Sequence, residues 1–423
     1  MLENISPEDA GISRHRLERL SEWLSQQISQ ERLAGCSALI GRRGGIAYFQ
    51  SSGKADHELD KPFLRDTIVR IYSMTKPVTT VAAMMLYERG GFQLDDPVSK
   101  YLPEFADTPV WTGSGIESVE PQKTPMLVRH LMTHTSGLTY GFMQTNVVDE
   151  SYRKERIEFQ GSRETLAETV GRLAQIPLIC QPGSQWNYSV STDVLGRLVE
   201  VWSGQTLEEF LVNEMFRPLG MRDTGFSLPV ENVERFSALY SPLQGVGGMG
   251  SIGALSQGEQ EERKGLKLEE SYNQTSYLKS TRNFSGGGGL VSTIDDYAQF
   301  CQMLMNGGEL NGERILGRKT VEHMRLNHLP GNNDMAAMGQ PVWSETSYDG
   351  IGFGLGFAVV LDPAKASIVA SVGEHHWGGA ASTFFWLDPL EDLFVVFLTQ
   401  LIPSSTYPIR RELRTRVYQA LVD

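Results

Sequence analysis

Cysteine is scarce in this chain: Cys36, Cys180 and Cys301 are the only three in 423 residues. Their odd number and wide spacing exclude a disulfide framework and fit a reducing compartment. None of the spacings is that of a metal-ligand set. Long apolar runs are missing as well, since no stretch approaches the ~20 residues that a membrane-spanning helix requires. The N-terminus, Met1-Leu2-Glu3-Asn4-Ile5-Ser6, lacks the basic-then-apolar signature of a secretory signal, so a cytoplasmic location is expected. Positive charge is in deficit, with 38 Lys+Arg against 51 Asp+Glu and a net charge of -13. That balance argues against nucleic acid or an anionic membrane as partner. Two hydrolase signatures are also absent. Without a G-x-S-x-G, a nucleophile elbow of the α/β-hydrolase type is excluded. Without an H-E-x-x-H, and with His375 and His376 adjacent so that a strand would point them to opposite faces, a metal hydrolase finds no support. Neither a metal nor a cofactor is expected.

What is present is an ordinary globular composition, 40% hydrophobic and 21% charged. Ser13 can cap a helix with Leu17, Leu20, Leu24 and Ile28 in one stripe. Cys36 to Gly41 and Ile46 to Gln50 read as strands of a hairpin through Arg42-Arg43-Gly44-Gly45. Helical segments follow at Leu127 to Met132, Leu166 to Leu173, Val194 to Trp202, Leu207 to Phe216 and Tyr297 to Met305. Between Ser241 and about Phe284 the pattern breaks down in a Gly/Ser/Gln/Glu-rich stretch, expected to be a flexible insertion or lid. Phe357 to Leu361, Ile368 to Val372, Thr383 to Leu387 and Leu393 to Thr399 read as strands. A last helix carries Ile409, Leu413, Val417 and Leu421. The expected organisation is α+β. Residues 1–75 and 286–423 form a sheet domain, residues 76–285 a mainly helical one, and the site lies in the cleft between them.

The candidate nucleophile lies in Arg70-Ile71-Tyr72-Ser73-Met74-Thr75-Lys76-Pro77. Ser-x-x-Lys occurs four times in the chain, but only Ser73 opens a long apolar helix, with Val78, Val81, Ala82, Met85 and Leu86 at helical spacing and a stop at Gly90-Gly91. Three residues along a helix bring Ser73 and Lys76 to one face. A desolvated lysine can take the serine proton, and the helix N-terminus favours an anionic intermediate. Spacing alone is equally compatible with a capping serine and a solvated lysine.

Two further stretches could complete such a site. Tyr188, in Gln185-Trp186-Asn187-Tyr188-Ser189-Val190, could carry a proton if the ammonium nearby makes its phenol ionise more easily; it could also be a packed core tyrosine. In His376-Trp377-Gly378-Gly379-Ala380-Ala381, paired glycines would let a substrate lie against the backbone and a following N–H face an oxyanion. A bulge or tight turn is the other reading.

In order and spacing these stretches resemble the class C β-lactamase superfamily and, within it, the family VIII carboxylesterases. His130-Leu131-Met132-Thr133-His134-Thr135-Ser136-Gly137-Leu138, Pro218-Leu219-Gly220-Met221 and Gly287-Gly288-Gly289-Leu290-Val291-Ser292-Thr293 support the resemblance, which runs from about residue 7 to 420. It implies a β-lactamase/transpeptidase-like fold, an antiparallel sheet flanked by helices plus a helical domain. It also implies Ser73 as nucleophile, Lys76 as its partner and Tyr188 as the second-motif tyrosine, with the backbone N–H groups of Ser73 and Ala380 as the oxyanion hole. Two departures matter. The β-lactamases of this class have Tyr-x-Asn where this chain has Tyr188-Ser189-Val190, and Lys-Thr-Gly where it has Trp377-Gly378-Gly379. Losing that lysine removes a cation able to hold a substrate carboxylate, and Trp377 offers an apolar wall to an uncharged ester. The expected function is a serine carboxylesterase for short- to medium-chain acyl esters, with Trp377, Gly378 and Gly379 at the substrate. A β-lactamase, D-amino-acid peptidase or acyltransferase on the same scaffold is the alternative, and a non-catalytic binding protein the remote one.

Overall fold

Strands from the two ends of the chain meet in one eight-stranded antiparallel sheet. In the computed structural model, which describes residues 2–159, 161–243, 265–339, 348–404 and 406–423, these strands are β1 (Gly35–Arg42), β2 (Gly45–Asp56), β3 (Lys61–Pro62), β4 (Ile351–Phe353), β5 (Ala358–Val360), β6 (His375–Gly378), β7 (Phe384–Asp388) and β8 (Leu393–Thr399). Their spatial order is β4-β5-β6-β7-β8-β1-β2-β3. β1 lies between β2 and β8, with Cys36 opposite Thr399 and Arg42 opposite Leu393. Helices cover both faces, which is why every residue of β8 is buried. Side-chain direction alternates along a strand. Thus Leu393, Val395 and Phe397 pack beneath α1 (Arg14–Ser29) and α5 (Ile409–Tyr418), whereas Phe394, Val396 and Leu398 join the core on the opposite face.

That opposite core contains α2 (Thr75–Glu88), α3 (Ser191–Ser203) and α4 (Ile294–Met305). α2 is buried on all sides from Thr75 to Leu86, beyond the single stripe its spacing suggests, because α3 packs along it. The expected α+β architecture, an antiparallel sheet flanked by helices, is the one observed.

Three local readings differ. Ile368 to Val372 forms no strand. Val369 and Val372 are largely exposed, and the strand between β5 and β7 is instead β6, whose His-His-Trp-Gly composition carries no β-branched residue. Leu421 lies beyond the end of α5, in a bridge to Ile12. Of the patternless segment at 241–284, residues 244–264 lie outside the described residues. Its flanks pair as a ribbon, Leu239–Pro242 with Leu266–Glu270.

β6 is anchored at its start by a buried ion pair. Arg414 of α5 donates through Nη2 to Glu374 Oε1 at 2.6 Å, and the Tyr418 hydroxyl sits 2.8 Å from Glu374 Oε2 and 2.7 Å from Asp388 Oδ2. Burial pushes the Glu374 carboxyl up, but Arg414 and His376 outweigh it and hold the pKa at about 2. Arg414→Ala would leave that carboxylate buried without its cation, a loss of about 3–5 kcal/mol. Urea unfolding of the variant should show a midpoint far below wild type; an unchanged midpoint would mean that water replaces the guanidinium.

Candidate active site

Ser73 sits in a 3₁₀ turn, Tyr72–Met74, directly ahead of α2. Tyr72 has φ +43°, a left-handed conformation that costs a non-glycine residue about 1–3 kcal/mol. The turn is braced from several sides. Val69–Arg70 pairs with Val291–Ser292, Ile71 N–H donates to Leu290 O at 3.2 Å, and the Tyr297 hydroxyl donates to Met74 O at 2.9 Å. The fully buried Arg70 reaches Glu270 of the ribbon at 2.6 Å. Held so, Ser73 lines a cavity of about 490 Å³.

The Lys76 ammonium donates to three oxygens: Ser73 Oγ at 3.2 Å, Tyr140 Oη at 3.0 Å and Gly287 O at 2.6 Å. Burial pulls its pKa down to about 7, with the Asp193 carboxylate opposing part of that drop. Near neutrality a large fraction of Lys76 is therefore the free amine, able to accept a proton. Tyr188 Oη donates to Ser73 Oγ at 2.6 Å. The phenol does not ionise more easily here, as a nearby ammonium alone would suggest. Burial raises its pKa by more than the hydrogen bond with Ser73 lowers it. The pair thus consists of an amine poised to take a proton and a neutral phenol that can pass one on. The Tyr188 ring is set by neighbours, with His134 at 4.9 Å, Tyr140 at 5.3 Å and Trp377 at 5.5 Å between centroids.

The third stretch lines the same cavity, from Trp377 to Ala380. Its glycines are required by close approach. A Cβ on Gly379 would lie 2.4 Å from Ile71 O and 2.2 Å from Thr383 Oγ1, so only glycine lets this edge lie against the backbone just before the nucleophile. A Cβ on Gly378 would lie 2.4 Å from Arg410 Nη2. Arg410 lines the cavity from α5, with Nη2 3.4 Å from Gly379 O and its guanidinium over the Phe384 ring. This corrects one expectation: replacing the motif lysine by Trp377 does not strip this edge of positive charge, because an arginine from α5 lies against the glycine beside it.

Ser73, Lys76 and Tyr188 are thus brought within hydrogen-bonding reach, with Trp377, Gly378, Gly379 and Ala380 around the same space. Tyr140 and Asp193 were not anticipated. Tyr140 follows the His134-to-Leu138 stretch by two residues and reads as an ordinary aromatic. Asp193, in the first turn of α3, reads as an acid placed for the helix dipole. Among the described residues no group of three or more His, Cys, Asp or Glu could hold a metal ion, and no helix is long and apolar enough to cross a membrane.

A serine and a lysine at a helix start, a tyrosine on the serine and a glycine-lined strand edge define a serine hydrolase of the class C β-lactamase-like superfamily. The Beta-lactamase family model matches residues 20–419, and the chain belongs to that family. Esterase EstB from Burkholderia gladioli is 31% identical over 409 residues, covering 95% of this chain and 94% of that protein. Acyltransferase calJ from Penicillium decumbens is 28% identical over 361 residues, covering 83% of this chain and 79% of that one. Among solved structures, EstCE1, described as a hydrolase with promiscuous acyltransferase activity, superposes with a TM-score of 0.78 at 30% identity. That match covers 96% of this chain and 99% of EstCE1. Membership of this superfamily makes the chain one of a family of serine-hydrolase enzymes.

Proposed function

We propose that the chain is a serine carboxylesterase that forms an acyl-enzyme on Ser73 from short- to medium-chain esters and can hand the acyl group to an alcohol as well as to water. The observation that carries this reading is the position of Ser73 Oγ, 2.6 Å from the Tyr188 hydroxyl and 3.2 Å from a lysine that gives up its proton near neutrality. Free Lys76 amine accepts the serine proton, directly or through Tyr188, as Oγ attacks the ester carbonyl. The N–H groups of Ser73 and Ala380 receive the oxyanion. As the C–O bond to the alcohol breaks, Tyr188 protonates the departing alkoxide and is refilled from Lys76. Water or a second alcohol then attacks the acyl carbon, losing its proton along the same path, and Ser73 is regenerated.

Acyl transfer is favoured by the cavity itself. Tyr140, Phe142, Trp186, Tyr188 and Trp377 line it, and an aromatic space of about 490 Å³ is within the range that encloses a small molecule. An alcohol bound there would compete with water for the acyl-enzyme. With p-nitrophenyl butyrate and increasing 1-butanol, the expected result is butyl butyrate formed in rising proportion while p-nitrophenol release stays at or above its water rate. Butyrate as sole product at every alcohol concentration would restrict the enzyme to hydrolysis. A chain-length series from acetate to laurate, run beside a chromogenic cephalosporin, should show the short and medium esters cleaved fastest and the cephalosporin least. The reverse ranking would favour a β-lactamase.

A further inference from the structure

The second motif ends in the apolar Val190, whose side chain offers the Lys76 amine no hydrogen bond, so other groups must hold it. Its nearest oxygen outside the catalytic group is the carbonyl of Gly287, at 2.6 Å. Gly287 is itself fixed on its amino side. Its N–H donates to Asp193 Oδ1 at 3.0 Å, and the same oxygen accepts from Ser285 Oγ at 2.6 Å. The fit leaves no slack. A Cβ on Gly287 would fall 2.3 Å from Asp193 Oδ2, and one on Gly286 would fall 2.7 Å from Thr192 O. Thr79 Oγ1 donates to Gly286 O at 2.8 Å, tying the loop back to α2 one turn beyond Lys76. Asp193 is 1% exposed, and no arginine donates to it in this network.

We propose that Asp193 is a positioning residue that seats Lys76 through Gly287 and supplies the counter-charge of the Lys76 ammonium. The inference rests on the acyl-enzyme reading of Ser73 and Lys76. Burial raises the Asp193 carboxyl, while Lys76, Ser285 and the Gly287 N–H oppose that rise. The other titratable groups facing the amine do not change charge near neutrality. Burial lowers His134 well below its usual value and raises Tyr140 well above its own; Tyr188 is raised too, with the Arg410 cation acting on it in the opposite sense. Lys76 is thus the group in this cluster that titrates there, and the acid limb of activity reports it.

The sign follows directly. Lys76 acts as base when neutral, so kcat/KM rises with pH through its pKa. An ionised Asp193 favours the ammonium, and its removal lowers that pKa and moves the limb to lower pH. For p-nitrophenyl butyrate between pH 5 and 9, wild type should show an acid limb near 7. In Asp193→Asn the limb should move down by about one pH unit and the plateau should fall on the order of tenfold as the weaker, less well seated amine takes over. Asp193→Glu should restore the limb toward wild type. If Asp193→Asn does not fold, Gly287→Ala, whose methyl displaces the carboxylate, should shift the limb in the same direction. A folded Asp193→Asn or Gly287→Ala enzyme with the limb at the wild-type pH would overturn the proposal while leaving the reading of Ser73 intact. A wild type without an acid limb near neutrality, or with Ser73 unlabelled by a fluorophosphonate probe, would overturn both.

Discussion

Alanine at position 73 is expected to lower ester turnover by about 10⁴-fold or more, the loss usual when a covalent nucleophile is removed. Ser73 Oγ is the point at which the Tyr188 and Lys76 hydrogen bonds converge, and no other hydroxyl occupies it. Fluorophosphonate labelling should disappear with turnover, while thermal unfolding should change little, because Ser73 and Tyr188 line the cavity and water can replace Oγ. Turnover and labelling that survive in Ser73→Ala would place the nucleophile elsewhere, whereas a wild type that neither cleaves esters nor labels at Ser73 would favour the reading of a protein that kept the fold and lost the chemistry.

Tyr188→Phe is expected to cost roughly 10²–10⁴ in kcat, the range of a positioned general acid–base group. The substitution removes one oxygen and keeps the ring, so the contacts with His134, Tyr140 and Trp377 remain and stability gives no competing explanation. Because burial holds the phenol neutral, the loss should appear as a failure to protonate the leaving alkoxide. It should therefore be greatest for alkyl esters and smaller for p-nitrophenyl esters, whose leaving group needs less help. Equal losses for both would assign Tyr188 to activation of Ser73 alone, and an unaltered kcat would remove it from the mechanism.

The parts of this site that the sequence made legible are those whose partners are close along the chain. Ser73 and Lys76 declare themselves because a helix converts a three-residue spacing into contact, and the apolar run after them marks that helix. Strands β1, β7 and β8 are legible because burial on both faces demands mostly apolar side chains, whereas β2 is legible only over its apolar start, its half-buried remainder being polar. What stayed hidden depends on tertiary packing. Asp193 meets Gly287 only when α3 lies along α2, and Arg410 meets Gly378 only once α5 crosses the end of β6. β6 is hidden because its two histidines and glycine dilute the β preference of Trp377, while the exposed Val369 and Val372 mimic a strand. Tyr188 was legible through its motif, but its proton affinity was not, because burial rather than a neighbouring charge decides it.

The pairing of β1 with β8 has a consequence for how the protein comes into being. β1 is made long before β8, yet β1 lies between β8 and β2 inside the sheet. Until β8 emerges, β1 presents an open edge and the apolar face later covered by α5 has no cover. Such long-range pairing is slow and leaves unpaired strand edges open to aggregation in the meantime. The sheet therefore closes only after β8 has been made, and the nucleophile turn, braced by residues 290–297, is set between two strands that meet across most of the sequence.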